Sequence, residues 1–152
     1  MSFLGKVKKK LRNGSWYPFY NTFYEKNNLD PHMILLESRS GKALESNILS
    51  LLKELCQEPY RSFTLVLSVH RDSENEIKEK LQKNSIQGVR FVRTGSVAYY
   101  HALSRAGYLV NDTSFPGRFI KKEGQIYLNT WHGTPLKKMG RDNRPEMVTM
   151  GN

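Results

Sequence analysis

The chain predicts an α/β fold, a parallel sheet flanked by helices, and three features lead there. From Met33 onward, short apolar runs alternate with stretches of helical periodicity, the pattern of repeated strand–helix units. The apolar runs do not alternate with polar residues, as befits strands covered on both faces. Polar and ionisable residues gather where each run ends.

Taken in order, the strands are MILLE (33–37), FTLVLSV (63–69), VRFV (89–92), YLVND (108–112) and IYLNTW (126–131). Between the first two, Leu44, Ile48, Leu51, Leu52 and Leu55 recur at helical spacing and form one stripe to lie on the sheet. Cys56 follows as a small buried helix residue. The next helix opens with Ser73 and Glu76 spaced as a capping box, with Ile77 and Leu81 facing inward. The third starts at Ser96, presents Val97, Tyr100 and Leu103 to the core, and stops at Gly107 as a C-terminal cap, leaving Tyr99 off the stripe.

Two pieces lie outside this alternation. Residues 1–30 form a basic, aromatic helical extension: five basic and no acidic residues precede Asn13, Phe3, Leu4, Val7 and Leu11 fall at helical spacing, and Trp16, Tyr17, Phe19, Tyr20, Phe23 and Tyr24 follow. Residues 31–152 form the domain, whose last stretch from Thr134 is polar and basic. At 152 residues one domain is expected. No run approaches the roughly 20 apolar residues of a bilayer crossing, and the start lacks the features of a secretory signal, so a cytosolic position is the default. A single cysteine excludes an internal disulfide and any cysteine-clustered zinc site. The formal charge of +10 favours polyanionic partners, whether nucleic acid, anionic lipid or a phosphate-rich substrate.

In an open parallel sheet, ligands bind beyond the carboxyl ends of the strands. Those ends deliver Glu37 to Lys42, then Ser68 and His70 to Asp72, Arg93 to Ser96, Asn111 to Ser114, and Trp131 to Thr134. The last is the most informative. His132 follows a strand directly, Gly133 permits a sharp turn or close ligand approach, and Pro135 suits the first turn of a helix capped by Thr134. Lys137, Lys138 and Arg141 come next. A histidine there can exchange protons near neutral pH, which fits a phosphate-bearing substrate whose hydroxyl must be deprotonated.

The segment IYLNTWHGTPLKKMGRD resembles the WHGTPLK-type motif of the CDP-glycerol poly(glycerophosphate) glycerophosphotransferase family, which builds wall teichoic acid and related capsules. LLESRSGKALESN is similar to that family's ES-x-x-GK-x-x-x-SN loop, and RTGSVAYYHALSRAGYLVND to its third helix and fourth strand. The resemblance implies the Rossmann-like amino-terminal, acceptor-side half of a glycosyltransferase-B fold. His132 would be the general base, freeing a terminal acceptor hydroxyl to attack the β-phosphate of CDP-glycerol, the donor substrate, with no cofactor or metal. Asp112 would orient His132 or an acceptor hydroxyl, or else serve as a turn residue in NDTS. Ser38, Gly41, Lys42, Ser46 and Asn47 would form an acceptor-phosphate loop, although Ser46 and Asn47 also suit a helix cap. Arg93 and Ser96 would contact phosphate at a helix start or lie in a solvated loop. Gly133, Thr134 and Lys137 complete the expected substrate contacts, and His32, His70 and His101 are expected to be structural or surface residues.

The implied partners are a lipid-linked polyol-phosphate acceptor and an anionic membrane surface at the cytoplasmic face of a bacterial plasma membrane. The family pattern continues beyond Asn152, so the expectation is that the nucleotide-binding donor domain is missing and that the chain alone is inactive. The competing reading is a non-catalytic, basic Rossmann-like module that binds a phosphate-rich polymer or nucleic acid; the absence of a nucleic-acid-recognition signature disfavours the latter.

Overall fold

The computed structural model describes residues 17–131 apart from 118. In chain order they form α1 (Tyr17–Lys26), β1 (Asp30–Glu37), α2 (Ser46–Leu55), β2 (Thr64–Val69), α3 (Glu74–Lys83), β3 (Arg90–Arg93), α4 (Val97–Arg105), β4 (Ala106–Asn111) and β5 (Ile126–Asn129). The strands make one sheet in the order β3-β2-β1-β4-β5, with every neighbouring pair parallel. The expected α/β parallel-sheet fold is therefore the one observed.

Each face of the sheet has its own core. On one, Ile48, Leu52 and Leu55 of α2 and Ile77 and Leu81 of α3 pack with Ile34, Leu36, Leu65, Leu67 and Val110 from the strands. On the other, Tyr99, Ala102 and Leu103 of α4 pack with Leu35, Val66 and Leu109, and Tyr20 of α1 joins them. Each such apolar side chain contributes roughly 1.5–3 kcal/mol through burial, so the central strands β1, β2 and β4 hold both cores together.

The structure corrects several local expectations. In α4 the buried residues are Tyr99, Ala102, Leu103 and Ser104, while Val97 is exposed. The reason is that α4 is covered on two sides: Tyr99 turns to the sheet, and the half-buried Tyr100 meets Tyr20 of α1, ring centroids 6.1 Å apart. Gly107 is no helix cap. The helix ends at Arg105, and Gly107 lies within β4, where a Cβ would stand 2.8 Å from the Asp30 carbonyl oxygen and 3.0 Å from Pro31 Cα. Ser73 makes no capping bond from its side chain. A turn at Arg71–Ser73 feeds straight into α3, the Ser73 N–H donates to the His70 carbonyl, and His70 Nδ1 accepts from the Asp72 N–H. Cys56 is only partly buried because α2 ends at Leu55. In β5 all four residues are exposed rather than covered on both faces, since it is the outermost strand among the described residues.

The described part of the amino-terminal stretch is joined to the domain. Tyr20 is buried and donates its hydroxyl to the Ile120 carbonyl, Asn27 donates to Ser104 Oγ, and the Lys122 ammonium, set over the Tyr24 ring, donates to the Asn27 carbonyl. Among the described residues no helix is long and apolar enough to cross a membrane.

The tight β1–β4 approach generates a prediction. Gly107→Ala forces a methyl group against backbone that cannot rotate away, and should lower stability by about 1–3 kcal/mol. Urea unfolding should show this as a lower midpoint at an unchanged m-value.

Candidate active site

Strand order reverses between β1 and β4, which opens a crevice at their carboxyl ends where an α/β sheet binds ligands. The chain closes that point with one carboxylate. Asp112, directly after β4, accepts a hydrogen bond from Ser38 Oγ at 2.8 Å through Oδ2 and from the Arg39 N–H at 2.8 Å through Oδ1. Both Ser38 and Asp112 are buried, and Ser38 Oγ also accepts from the Glu45 N–H at 3.3 Å, at the threshold of α2.

The loop so held has an unusual backbone. Arg39, Ser40 and Gly41 all have positive φ, at 50°, 55° and 79°. For each non-glycine residue this conformation costs about 1–3 kcal/mol and persists only where surrounding structure imposes it. Asp112 imposes it at one end. At the other, the His70 N–H donates to the Gly41 carbonyl at 2.6 Å. A Cβ on Gly41 would lie 2.2 Å from Thr94 Oγ1 and 2.8 Å from His70 N, so this glycine allows the loop to press on the ends of β2 and β3.

Beneath the loop, register aligns Ser68, Glu37, Asn111 and Asn129 in one row across four strands. The first three are buried, and Ser68 Oγ shares a 2.8 Å hydrogen bond with Thr94 Oγ1. Asn111 Oδ1 accepts from the Tyr127 hydroxyl at 3.0 Å. The Glu37 carboxyl faces the Ser68 and Tyr99 hydroxyls, and Asn111 Nδ2 has no hydrogen-bond partner among the described residues. Burial pushes the Glu37 pKa above the ordinary glutamate range, helped by the nearby Asp112 charge and opposed by the Ser68 and Tyr99 hydroxyls. Burial, with Glu37 beside it, likewise raises the Tyr99 phenol.

The third component is the exit from β5. The Thr130 N–H donates to the Asn111 carbonyl at 2.8 Å, and the Trp131 N–H to Asn129 Oδ1 at 2.8 Å. Trp131 itself has φ 58°, a left-handed conformation rare for a bulky residue. Asn47 Nδ2, near the start of α2, donates to the Thr130 and Trp131 carbonyls at 3.2 and 3.4 Å. The β1–α2 loop, the end of β4 and the end of β5 therefore converge on one edge, with WHGTPLK next in the chain.

Comparison with known proteins identifies the family. The model of CDP-glycerol:poly(glycerophosphate) glycerophosphotransferases matches residues 19–152. The chain belongs to that family. It is 31% identical over 123 residues to a teichoic acid poly(glycerol phosphate) polymerase of Staphylococcus epidermidis, covering 81% of this chain and 16% of the relative. It is 28% identical over 137 residues to a teichoic acid glycerol-phosphate transferase of Staphylococcus aureus, covering 90% of this chain and 33% of the relative. The solved structure of the wall teichoic acid polymerase TagF aligns with a TM-score of 0.66 at 26% identity, over 95% of this chain and 35% of that one. The chain thus spans a third or less of the length of these curated relatives, and its likeness to part of TagF accords with the expected Rossmann-like half of a glycosyltransferase-B fold.

Within this domain the expected site residues occupy different kinds of position. Ser38, Gly41 and Asp112 meet at the switch point, as just described. Lys42 is exposed beside them, Ser46 is the first residue of α2, and Asn47 holds the β5 exit. Arg93 closes β3 and lies 3.7 Å from Glu74 of α3 in an exposed ion pair. Ser96 caps α4, its Oγ accepting from the Tyr99 N–H at 3.2 Å. His132, Gly133, Thr134 and Lys137 lie outside the described residues. The other histidines engage locally: His70 in its turn, His101 edge-on to Phe23 and His32 against Phe63. Glu37 was not singled out by the sequence pattern, although a carboxylate closing the apolar run MILL was the available signal.

The buried Glu37 carboxyl gives a pH-dependent prediction. Its folded pKa is raised, so the folded state retains this proton at pH values where the unfolded chain has released it. Stability from this group is complete below the unfolded pKa and is lost as pH rises through the folded value. Glu37→Gln removes that loss. Denaturation across pH should find the variant more stable than the parent near neutrality, with the difference closing below about pH 4.

Proposed function

We propose that this domain is the acceptor-binding half of a CDP-glycerol-dependent glycerophosphotransferase, in which His132 is the general base. The convergence of the Asp112-held loop and the β5 exit at the switch point carries this reading, because WHGTPLK begins where those two elements meet. His132 takes the proton from a terminal hydroxyl of the acceptor. The freed oxygen attacks the β-phosphate of CDP-glycerol, the new phosphodiester bond forms, and CMP leaves with the electrons of the broken anhydride bond. CDP-glycerol is a substrate here, and the step as written uses no cofactor or metal.

The residues around that step divide the work. Asp112 has both oxygens engaged by Ser38 and Arg39, which favours a role in shaping the acceptor loop over direct contact with a substrate hydroxyl. Lys42, exposed on that loop, supplies positive charge for acceptor phosphate, and Gly133, Thr134 and Lys137, which follow His132 in the chain, are proposed as further substrate contacts. Arg93 and Ser96 lie farther along the edge, where the ion pair with Glu74 tempers the charge of Arg93. In a full-length enzyme carrying this domain, His132→Ala should lower kcat by about 10²- to 10⁴-fold. A radiolabelled glycerol phosphate transfer assay checks this, and full turnover by the variant would remove His132 from the chemistry.

The lipid-linked acceptor points to an anionic membrane surface as second partner, at the cytoplasmic leaflet where CDP-glycerol is available. Tyr20, Phe23 and Tyr24 make their ring contacts within the domain. That leaves Lys6, Lys8, Lys9, Lys10 and Arg12, interleaved with Phe3, Leu4, Val7 and Leu11, as the residues to meet a leaflet. Each basic residue near an anionic surface is worth about 1 kcal/mol. Vesicle sedimentation should show binding to phosphatidylglycerol-containing liposomes that weakens with salt and with Lys→Gln changes in this stretch. Equal binding to neutral vesicles would sink the electrostatic argument.

A further inference from the structure

The backbone that leads into His132 is held from outside its own strand. β5 ends at Asn129, and the next two residues turn through the left-handed conformation of Trp131. The hydrogen bonds at that turn include the Thr130 N–H to the Asn111 carbonyl, the Trp131 N–H to Asn129 Oδ1, the Thr130 hydroxyl to the Trp131 carbonyl, and Asn47 Nδ2, which reaches across from α2 to the carbonyls of Thr130 and Trp131. The first two come from the sheet itself. Asn47 is the contact from the far side of the crevice, and it acts on the two carbonyls immediately before His132.

The chemistry of the amide separates two roles for Asn47. A ligand for acceptor phosphate must donate hydrogen bonds, and the only donors on this side chain are the two N–H bonds of Nδ2. Nδ2 already lies at hydrogen-bonding distance from two backbone carbonyl oxygens, 3.2 Å from that of Thr130 and 3.4 Å from that of Trp131. What remains is Oδ1, an acceptor, which phosphate oxygens repel.

We propose that Asn47 is a positioning residue for His132: it ties α2 to the β5 exit by holding the two backbone carbonyls that directly precede the histidine in the chain. The proposal rests on His132 being the general base. A misplacement of about 1 Å can cost a catalytic step about 100-fold, so a clamp on the preceding peptide affects rate before it affects affinity.

Transfer kinetics in a full-length enzyme carrying this domain test it, with CDP-glycerol and a lipid-linked glycerol phosphate acceptor. Asn47→Ala should lower kcat by about 10- to 100-fold and leave the acceptor KM unchanged. Asn47→Asp, which keeps the shape but sets a carboxylate against two carbonyls, should be at least as slow. Combined with His132→Ala, Asn47→Ala should cause no further loss. In the 152-residue chain, Trp16→Phe leaves Trp131 as the one tryptophan, and its emission should shift when Asn47 is truncated. A raised acceptor KM with normal kcat would overturn the clamp and make Asn47 an acceptor ligand. So would normal turnover by Asn47→Ala beside an inactive His132→Ala, or an unaltered Trp131 emission. Full turnover by His132→Ala alone would instead overturn the general-base reading.

Discussion

The hydrogen bonds from Ser38 and Arg39 to Asp112 are the contact on which the rest of the carboxyl edge depends. They join the end of β1 to the end of β4 at the one place where neighbouring strands send their connections in opposite directions. A crevice is unavoidable there, because no helix can cross both strands at once. With both carboxylate oxygens engaged, the following loop is forced through three left-handed residues, and this delivers Lys42 and then α2 to the rim. Asn47 reaches the β5 exit only because α2 begins where that loop sets it down.

Two carboxyl groups meet at this junction, and their surroundings treat them differently. Asp112 is buried with two donors and is solvated by the protein. Glu37, one position before Ser38, is buried, and desolvation raises its pKa against the opposing Ser68 and Tyr99 hydroxyls. The nearby Asp112 charge adds to that rise. The row Ser68, Glu37, Asn111 and Asn129 thus forms a polar floor beneath an edge whose rim is basic.

Much of the fold was legible in the sequence. Unalternated runs such as FTLVLSV and YLVND mark strands buried on both faces, and the leucine stripe recurs in the core at Ile48, Leu52 and Leu55 of α2 and at Leu44 just before it. The reading failed where two partners compete for one helix. Spacing in α4 permits either Val97, Tyr100 and Leu103 or Tyr99, Ala102 and Leu103 as the inner face, and only the presence of α1 on the outer side decides for the second. Gly107 fits a helix cap by position, but close packing of β1 against β4 is a long-range constraint that no local pattern reports. Ser73 fits a capping box for the same reason, until the turn before it takes up its backbone.

The site divides along similar lines. Local sequence carried the expectation for its chemistry: a histidine directly after a strand, followed by Gly-Thr-Pro and lysines, is the pattern expected of a turn, a helix start and a basic rim, and from His132 on it lies outside the described residues. It also determined the family, since the motif and the ESRSGKALESN loop are contiguous strings. Tertiary structure decided which side chains serve those strings. Asp112 reaches the loop 73 residues earlier, and Asn47 reaches a carbonyl 83 residues later. Such pairings depend on strand order and register, which arise from burying two apolar faces at once and leave no trace in the spacing of the residues they bring together.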